Sequence, residues 1–232
     1  FFVLDEADRM FSMGFEYQMR SIAQHIRPER QCLLFSATFP PKIETLARDI
    51  LSNPVRITIG KVGHASSNVT QKVAILNDES EKWPWAGRML PTLLQDGQML
   101  IFVRSKAGVD DLFKKIKLAG IEAVSIHGDI DQNERMNVMR QFRTGTVNVL
   151  IATDVAARGL DISTIRTVLC YDMARDIETH THRIGRTGRA GATGTAWTLL
   201  LKTENKMAAH LVENMETAKQ QVSDELMKVA MQ

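Results

Sequence analysis

An α/β fold built on parallel sheets is the architecture this sequence predicts, and three observations predict it. Short, continuous apolar runs with strand composition recur along the chain, as in "QMLIFV" (98–103) and "VNVLIA" (147–152). Stretches of helical length and spacing separate them, and that alternation implies strands buried on both faces. The stretches rich in Asp, Arg, Thr and Gly fall just after those runs, where ligands bind on parallel sheets. The 232 residues, 44% of them hydrophobic, suffice for two small domains or one large one.

The elements follow in order. "FFVLDE" (1–6) and "QCLLFSAT" (31–38) read as strands. Between them "FEYQMRSIAQHI" (15–26) reads as a helix, because Phe15, Met19, Ile22 and Ile26 share one face. "PKIETLARDILS" (41–52) reads as a second helix with a proline near its start, and "VRITIG" (55–60) as a third strand. "KVGHASSNVTQ" (61–71) is small, polar and aperiodic, and reads as an interdomain linker. Beyond it, strands are expected at 98–103, 122–127, 147–152, 167–172 and 194–200, with helices such as 107–118, 132–143 and 178–185. The tail, 203–231, carries two more helical segments whose Met-rich apolar positions read as packing.

Composition narrows the function classes. A net charge of +2 gives no global argument for nucleic-acid binding, so a local basic cluster must supply one. Cys32 and Cys170 lie in separate apolar runs, without zinc or disulfide spacing, as in a reduced intracellular protein. No apolar stretch is long enough to span a bilayer, and the opening "FFVL", cut short by acids, is not a signal peptide. A start in mid-strand without Met reads as a truncated chain.

Five stretches carry chemistry. In "LDEADRMF" (4–11) a strand ends in three carboxylates. Asp5 suits a magnesium ion held through water and Glu6 suits orientation of an attacking water; equally, acids favour a helix N-terminus. The hydroxyls of "SAT" (36–38) can bond a neighbouring carboxylate, or simply make a turn. In "ATDVAARGLDI" (152–162), Thr153 can reach a phosphate, Gly159 permits close backbone approach and Asp161 can accept from a ribose hydroxyl; an ordinary strand-to-helix turn is the alternative. In "HRIGRTGRAG" (182–191), Arg183, Arg186 and Arg189 recur every third residue between glycines, a poor pattern for a solvated helix and a good one for presenting guanidiniums to phosphates. "HGDIDQNER" (127–135) adds Gly128, the helix start at Gln132, and Arg135.

In this order the motifs "DEAD" (5–8), "SAT" (36–38), "IFV" (101–103), "ATDVAARGLD" (152–161) and "HRIGRTGR" (182–189) resemble those of the DEAD-box ATP-dependent RNA helicases of superfamily two. "KWPW" (82–85) and "YDMARDIETHTHRIGRTGRAG" (171–191) resemble the nuclear branch linked to pre-mRNA splicing. The resemblance implies two RecA-like parallel-sheet domains, the first partly present: 1–60 from the ATP-binding domain, a linker at 61–71, the second domain at 72–202 and a helical extension at 203–232. It implies ATP and magnesium as cofactors, with Asp5 at the metal. Glu6, Arg186 and Arg189 are then catalytic, and Gly159 and Asp161 bind nucleotide. Asp8, Ser36, Thr38 and His182 couple nucleotide state to closure. Ser105, Gly128, Gln132, Arg135, Thr153 and Arg183 lie along the RNA backbone. The implied protein is a monomeric, membrane-free nuclear enzyme that hydrolyses ATP in response to RNA, opens duplexes or remodels RNA–protein complexes, and meets spliceosomal proteins.

The sequence also departs from the family. His180 stands where a tyrosine is usual, and Ala174 where a proline is common. The 232 residues contain no G-x-x-x-x-G-K-[ST] phosphate loop; Gly60-Lys61 lacks its context, with Val55 and Val62 at the flanking positions. The chain alone is therefore expected to be inactive. A non-catalytic RNA-binding or protein-docking module remains the alternative.

Overall fold

A computed structural model describes residues 1–58, 68–157, 160–189 and 191–232. They form two compact units, Phe1–His64 and Ala65–Gln232.

In the first unit, β1 (Phe2–Leu4) and β2 (Cys32–Leu34) pair in parallel, with Leu4 opposite Leu34. The helices are α1 (Ala7–Ser12), α2 (Glu16–His25) and α3 (Pro41–Ile50). Leu4, Met19, Ala23, Leu46 and Ile50 are buried together. Alternation along a strand sends the intervening residues to the other face, where Val3 and Leu33 are 50% and 37% exposed. Proline at the first position of α3 costs nothing, because that N–H has no helical partner. Two sequence expectations change here. Residues 55–58 form no strand: Val55 and Ile57 are 86% and 80% exposed, and β composition without a paired neighbour leaves the backbone unbonded. The apolar face expected for 15–26 is narrower, since Phe15 and Ile22 face solvent.

The second unit is a six-stranded, all-parallel sheet. Its strands are β3 (Val69–Leu76), β4 (Gln98–Phe102), β5 (Val124–Ile126), β6 (Val149–Ala152), β7 (Ile165–Cys170) and β8 (Gly194–Leu201), in the order β3-β8-β7-β4-β6-β5. The apolar runs divide between two cores by strand alternation. Leu100, Phe102, Leu150 and Ala152 join one with Val138, Phe142 and Ile184. Met99, Ile101, Val149 and Ile151 join the other with Leu90, Val109, Leu112 and Ile116. The covering helices are α4 (Lys82–Leu93), α5 (Lys106–Leu118), α6 (Gln132–Arg143) and α7 (Ile177–Ile184). Ser105 and Asp131 cap α5 and α6 by accepting backbone N–H groups.

The C-terminal helices α8 (Asn205–Thr217) and α9 (Asp224–Ala230) pack with Leu200, Val73 and Ile75. The expected linker runs too far: its last residues, Val69–Gln71, open β3, while 61–67 lie outside the described residues. As an edge strand, β3 has no neighbouring strand on one side among the described residues. There the Gln220 amide accepts from the Gln71 N–H at 3.1 Å and donates to the Val69 carbonyl at 3.0 Å, taking the place of a strand.

Candidate functional site

On the first unit, the candidate residues follow two adjacent strands. Main-chain bonds from Phe35 N–H to Leu4 O (2.8 Å) and from Ala7 N–H to Phe35 O (3.0 Å) carry the pairing past the strand ends. Asp8 Oδ2 then accepts from the Thr38 N–H at 2.7 Å and the Thr38 hydroxyl at 2.8 Å. The Ser36 hydroxyl accepts from the Asp8 N–H at 3.2 Å and donates to Thr38 O at 2.7 Å. Burial pushes the Asp8 carboxyl up, but the Thr38 bonds, with those of Arg9 and Ser36, outweigh it and hold the group below its ordinary value. Asp8, Ser36 and Thr38 are thus one bonded set joining the two strand ends.

Asp5 and Glu6 stand at the mouth of this set. Asp5 is exposed and accepts the Glu6 N–H through Oδ1 at 2.9 Å, and Oδ2 has no hydrogen-bond partner among the described residues. Glu6 has φ 51°, in the left-handed region, where a Cβ meets steric resistance of about 1–2 kcal/mol. That bend begins α1, and it shows the acid run to be both a helix start and a cluster of acids at a strand end. An exposed carboxylate with one free oxygen suits magnesium, which takes oxygen ligands and keeps several waters.

On the second unit, register gathers the remaining candidates. Ile126, Ala152, Phe102 and Cys170 are linked partner to partner across β5, β6, β4 and β7, so these four strands end on one line. His127, Thr153, Val103 and Tyr171 are the next residues. Gly128 and Gln132 are exposed, Ser105 accepts from the Gly108 N–H, and Thr153 is only 8% exposed. Arg135 donates to Ala156 O at 2.7 Å, which ties α6 to the segment after β6.

The three arginines of "HRIGRTGR" separate. Arg186 and Arg189 both donate to Leu160 O, at 3.0 and 3.3 Å, and Arg189 also pairs with Asp161 at 2.7 Å. Both remain partly exposed. Arg183, expected beside RNA, is a correction. It is 2% exposed, with Nε on Asp154 Oδ1 at 2.7 Å, Nη2 on Asp154 Oδ2 at 2.9 Å and Nη1 on Asp172 O at 2.6 Å. A guanidinium so held and buried does not face a backbone phosphate. Thr179, His180, Arg183 and Ile184 form the buried side of α7, while His182 lies on the less buried side. Burial, with Arg183 nearby, holds His180 neutral, its pKa lowered to about 3. Gly159 lies outside the described residues.

Three residues of this region were not anticipated: Asp154, Asp172 and Lys82. Lys82 is 1% exposed and pairs with Asp172 and Glu79, each at 2.7 Å. Asp172 Oδ2 also accepts the Arg104 N–H at 2.8 Å. Asp172 therefore pins the ends of β4 and β7 to the start of α4. Asp154 directly follows Thr153 at a strand end, but its residue type alone does not reveal that it pairs with Arg183.

Comparison with known proteins gives the relatives of this arrangement. Residues 82–191 match the model of the helicase conserved C-terminal domain, and residues 1–46 match that of the DEAD/DEAH box helicases. The ATP-dependent RNA helicase DDX42 of Mus musculus is 55% identical over 232 residues, all of this chain and 25% of that protein. DEAD-box ATP-dependent RNA helicase 24 of Arabidopsis thaliana is 50% identical over all of this chain and 30% of its own length. The chain thus spans a quarter to a third of these curated relatives. The structure of S. cerevisiae Dbp5 bound to RNA and ADP BeF3 superposes with a TM-score of 0.82 at 32% identity, over 93% of this chain and 56% of that one. The yeast DEAD-box splicing factor Prp28 matches with a TM-score of 0.66 at 30% identity, over 98% of this chain and 52% of that one.

Proposed function

The chain belongs to the DEAD-box family of ATP-dependent RNA helicases, and on that premise we propose that its residues serve RNA-stimulated ATP hydrolysis coupled to opening of short duplexes or remodelling of RNA–protein complexes. The observation that carries the reading is the bonded set Asp8–Thr38–Ser36, which ties the acids at the end of β1 to the end of β2. Through it, Asp5 and Glu6 respond as one body to any movement of the "SAT" segment.

Each residue then has a task. Asp5 would hold magnesium through water, and the bound ion would supply positive charge beside the transferred phosphoryl group. Glu6 orients the attacking water. Arg186 and Arg189 are arginine fingers, Asp161 and Gly159 meet the nucleotide, and His182 couples nucleotide state to closure with the Asp8 set. RNA lies along the strand ends, against Ser105, Gly128, Gln132 and Thr153, with Arg135 behind them. Contacts of this kind read the backbone and its 2′-hydroxyls and carry little sequence preference. The likeness to a yeast splicing factor supports a nuclear role in RNA processing, with spliceosomal proteins as partners of a monomer. Among the described residues no helix is long and apolar enough to cross a membrane.

The 232 residues hold no phosphate loop, and that observation favours a second reading for this chain by itself: an RNA-binding or docking module without turnover. The test measures phosphate release, with and without single-stranded RNA, from two polypeptides. One is residues 1–232; the other has the upstream part of a relative's first domain, phosphate loop included, joined to Phe1. RNA-stimulated release from the second alone supports the enzyme. RNA binding without release from either supports the module.

A further inference from the structure

We propose that Lys106 is a further phosphate-binding residue of the RNA face, and that Asp129 holds its place when RNA is absent. The inference rests on the proposed RNA track. Lys106 opens α5 directly after the cap Ser105, and its first turn carries no acid. A cation there opposes the helix dipole, whose amino end favours negative charge, so helix stability does not explain the residue. Its ammonium is instead paired with the Asp129 carboxylate, from the loop between β5 and α6. Lys106 is 54% exposed and Asp129 64% exposed, so both partners are open to exchange.

The position matters more than the pair. A Cβ built on Gly128 would lie 3.5 Å from Lys106 Cε and 3.8 Å from Nζ, so the bare backbone of Gly128 borders the ammonium. A phosphate drawn to that backbone arrives at ion-pairing distance from Lys106. Two other ionisable groups adjoin the pair. The His127 ring accepts the Asp129 N–H at 3.4 Å and meets Asp110 at 3.3 Å through its other nitrogen. Asp110 already has that partner, which leaves Asp129 as the acid on Lys106. Exposed ion pairs of this kind are weak. A phosphate at Gly128 can therefore take the ammonium, and Asp129 swings back to solvent.

The test measures affinity for a fluorescent single-stranded oligouridine, without nucleotide, across a salt series. Asp129→Asn should tighten binding roughly two- to fivefold, the worth of an exposed ion pair. Lys106→Met should weaken binding and lower the salt slope by about 0.7. In the Lys106→Met background Asp129→Asn should gain nothing. Glu122→Gln is the control, because it makes the same charge change beside Lys117, away from the strand ends. An equal gain from Asp129→Asn with Lys106 already removed, or from Glu122→Gln, reduces the effect to net charge and overturns the proposal. So does Lys106→Met without loss of affinity. Wild-type protein that binds no RNA overturns the RNA track itself, whereas wild-type binding with a silent Asp129→Asn overturns this inference alone.

Discussion

Arg183 grips Asp154 through two parallel donors, Nε to Oδ1 at 2.7 Å and Nη2 to Oδ2 at 2.9 Å, with the guanidinium 5.2 Å from the centre of the Phe102 ring. Only the planar fork makes both bonds at once. Asp154→Ala would leave a buried cation uncompensated and should destabilise the second unit by about 3–5 kcal/mol. Arg183→Lys should approach that loss. All three tryptophans, Trp83, Trp85 and Trp197, lie in the second unit, so urea unfolding followed by tryptophan fluorescence reads it directly. A midpoint equal to wild type would return Arg183 to the RNA face.

The Asp8 set should show itself in acid. Its folded pKa lies below the ordinary 3.8, so its contribution is complete above that value and is lost as pH falls through the folded pKa. Thr38→Val keeps the shape and removes one donor to the carboxylate, a loss of about 1.5–3 kcal/mol. Amide exchange at Ala7, Asp8 and Thr38 should quicken in the variant at neutral pH. Asp8→Asn should flatten the acid dependence.

His180 has the opposite charge type and the same sign of linkage. Its folded pKa is about 3, and an unfolded histidine titrates near 6.5. Stability is complete above about pH 6.5 and falls by up to about 1.4 kcal/mol for each unit below it. His180→Phe should remove this slope, read as the difference between wild-type and variant urea midpoints at about pH 7.5 and 5.5.

Arg186 is the sharper test of catalysis. In a polypeptide carrying a phosphate loop, Arg186→Lys should slow turnover roughly a thousandfold, since a finger stabilises charge spread over the transferred oxygens. Melting temperature and RNA affinity without nucleotide should stay near wild type. Turnover that falls only in step with melting would make Arg186 a prop for Leu160, whose carbonyl it bonds at 3.0 Å.

Much of the second sheet was legible because its central strands are buried on both faces and read as unbroken apolar runs. β3 was not, since its outer position lets Thr70 and Lys72 face solvent and the run looks like linker. Residues 55–58 erred in the other direction: composition alone cannot supply a pairing partner. α4 escaped because Gly87 and Pro91 interrupt its pattern. Motif order marked the acids, hydroxyls and arginines as candidates, but identical three-residue spacing hid that Arg183 is buried while Arg186 and Arg189 are partly exposed. Burial separates them, and burial depends on Asp154 and Phe102, which are distant in sequence.

The Gln220 amide at the rim of β3 bears on how the protein behaves in company. An open strand is a template on which a second chain can add, the first step toward swapped or fibrous assemblies. One side chain occupies the Gln71 N–H and the Val69 carbonyl and blocks the first part of that template. Gln220→Ala should therefore cost more in solubility than its about 1–3 kcal/mol of lost hydrogen bonding suggests. Light scattering on concentrated samples should find the variant self-associating while dilute samples stay folded. The tail beyond the last strand thus works as a guard against the protein's own copies.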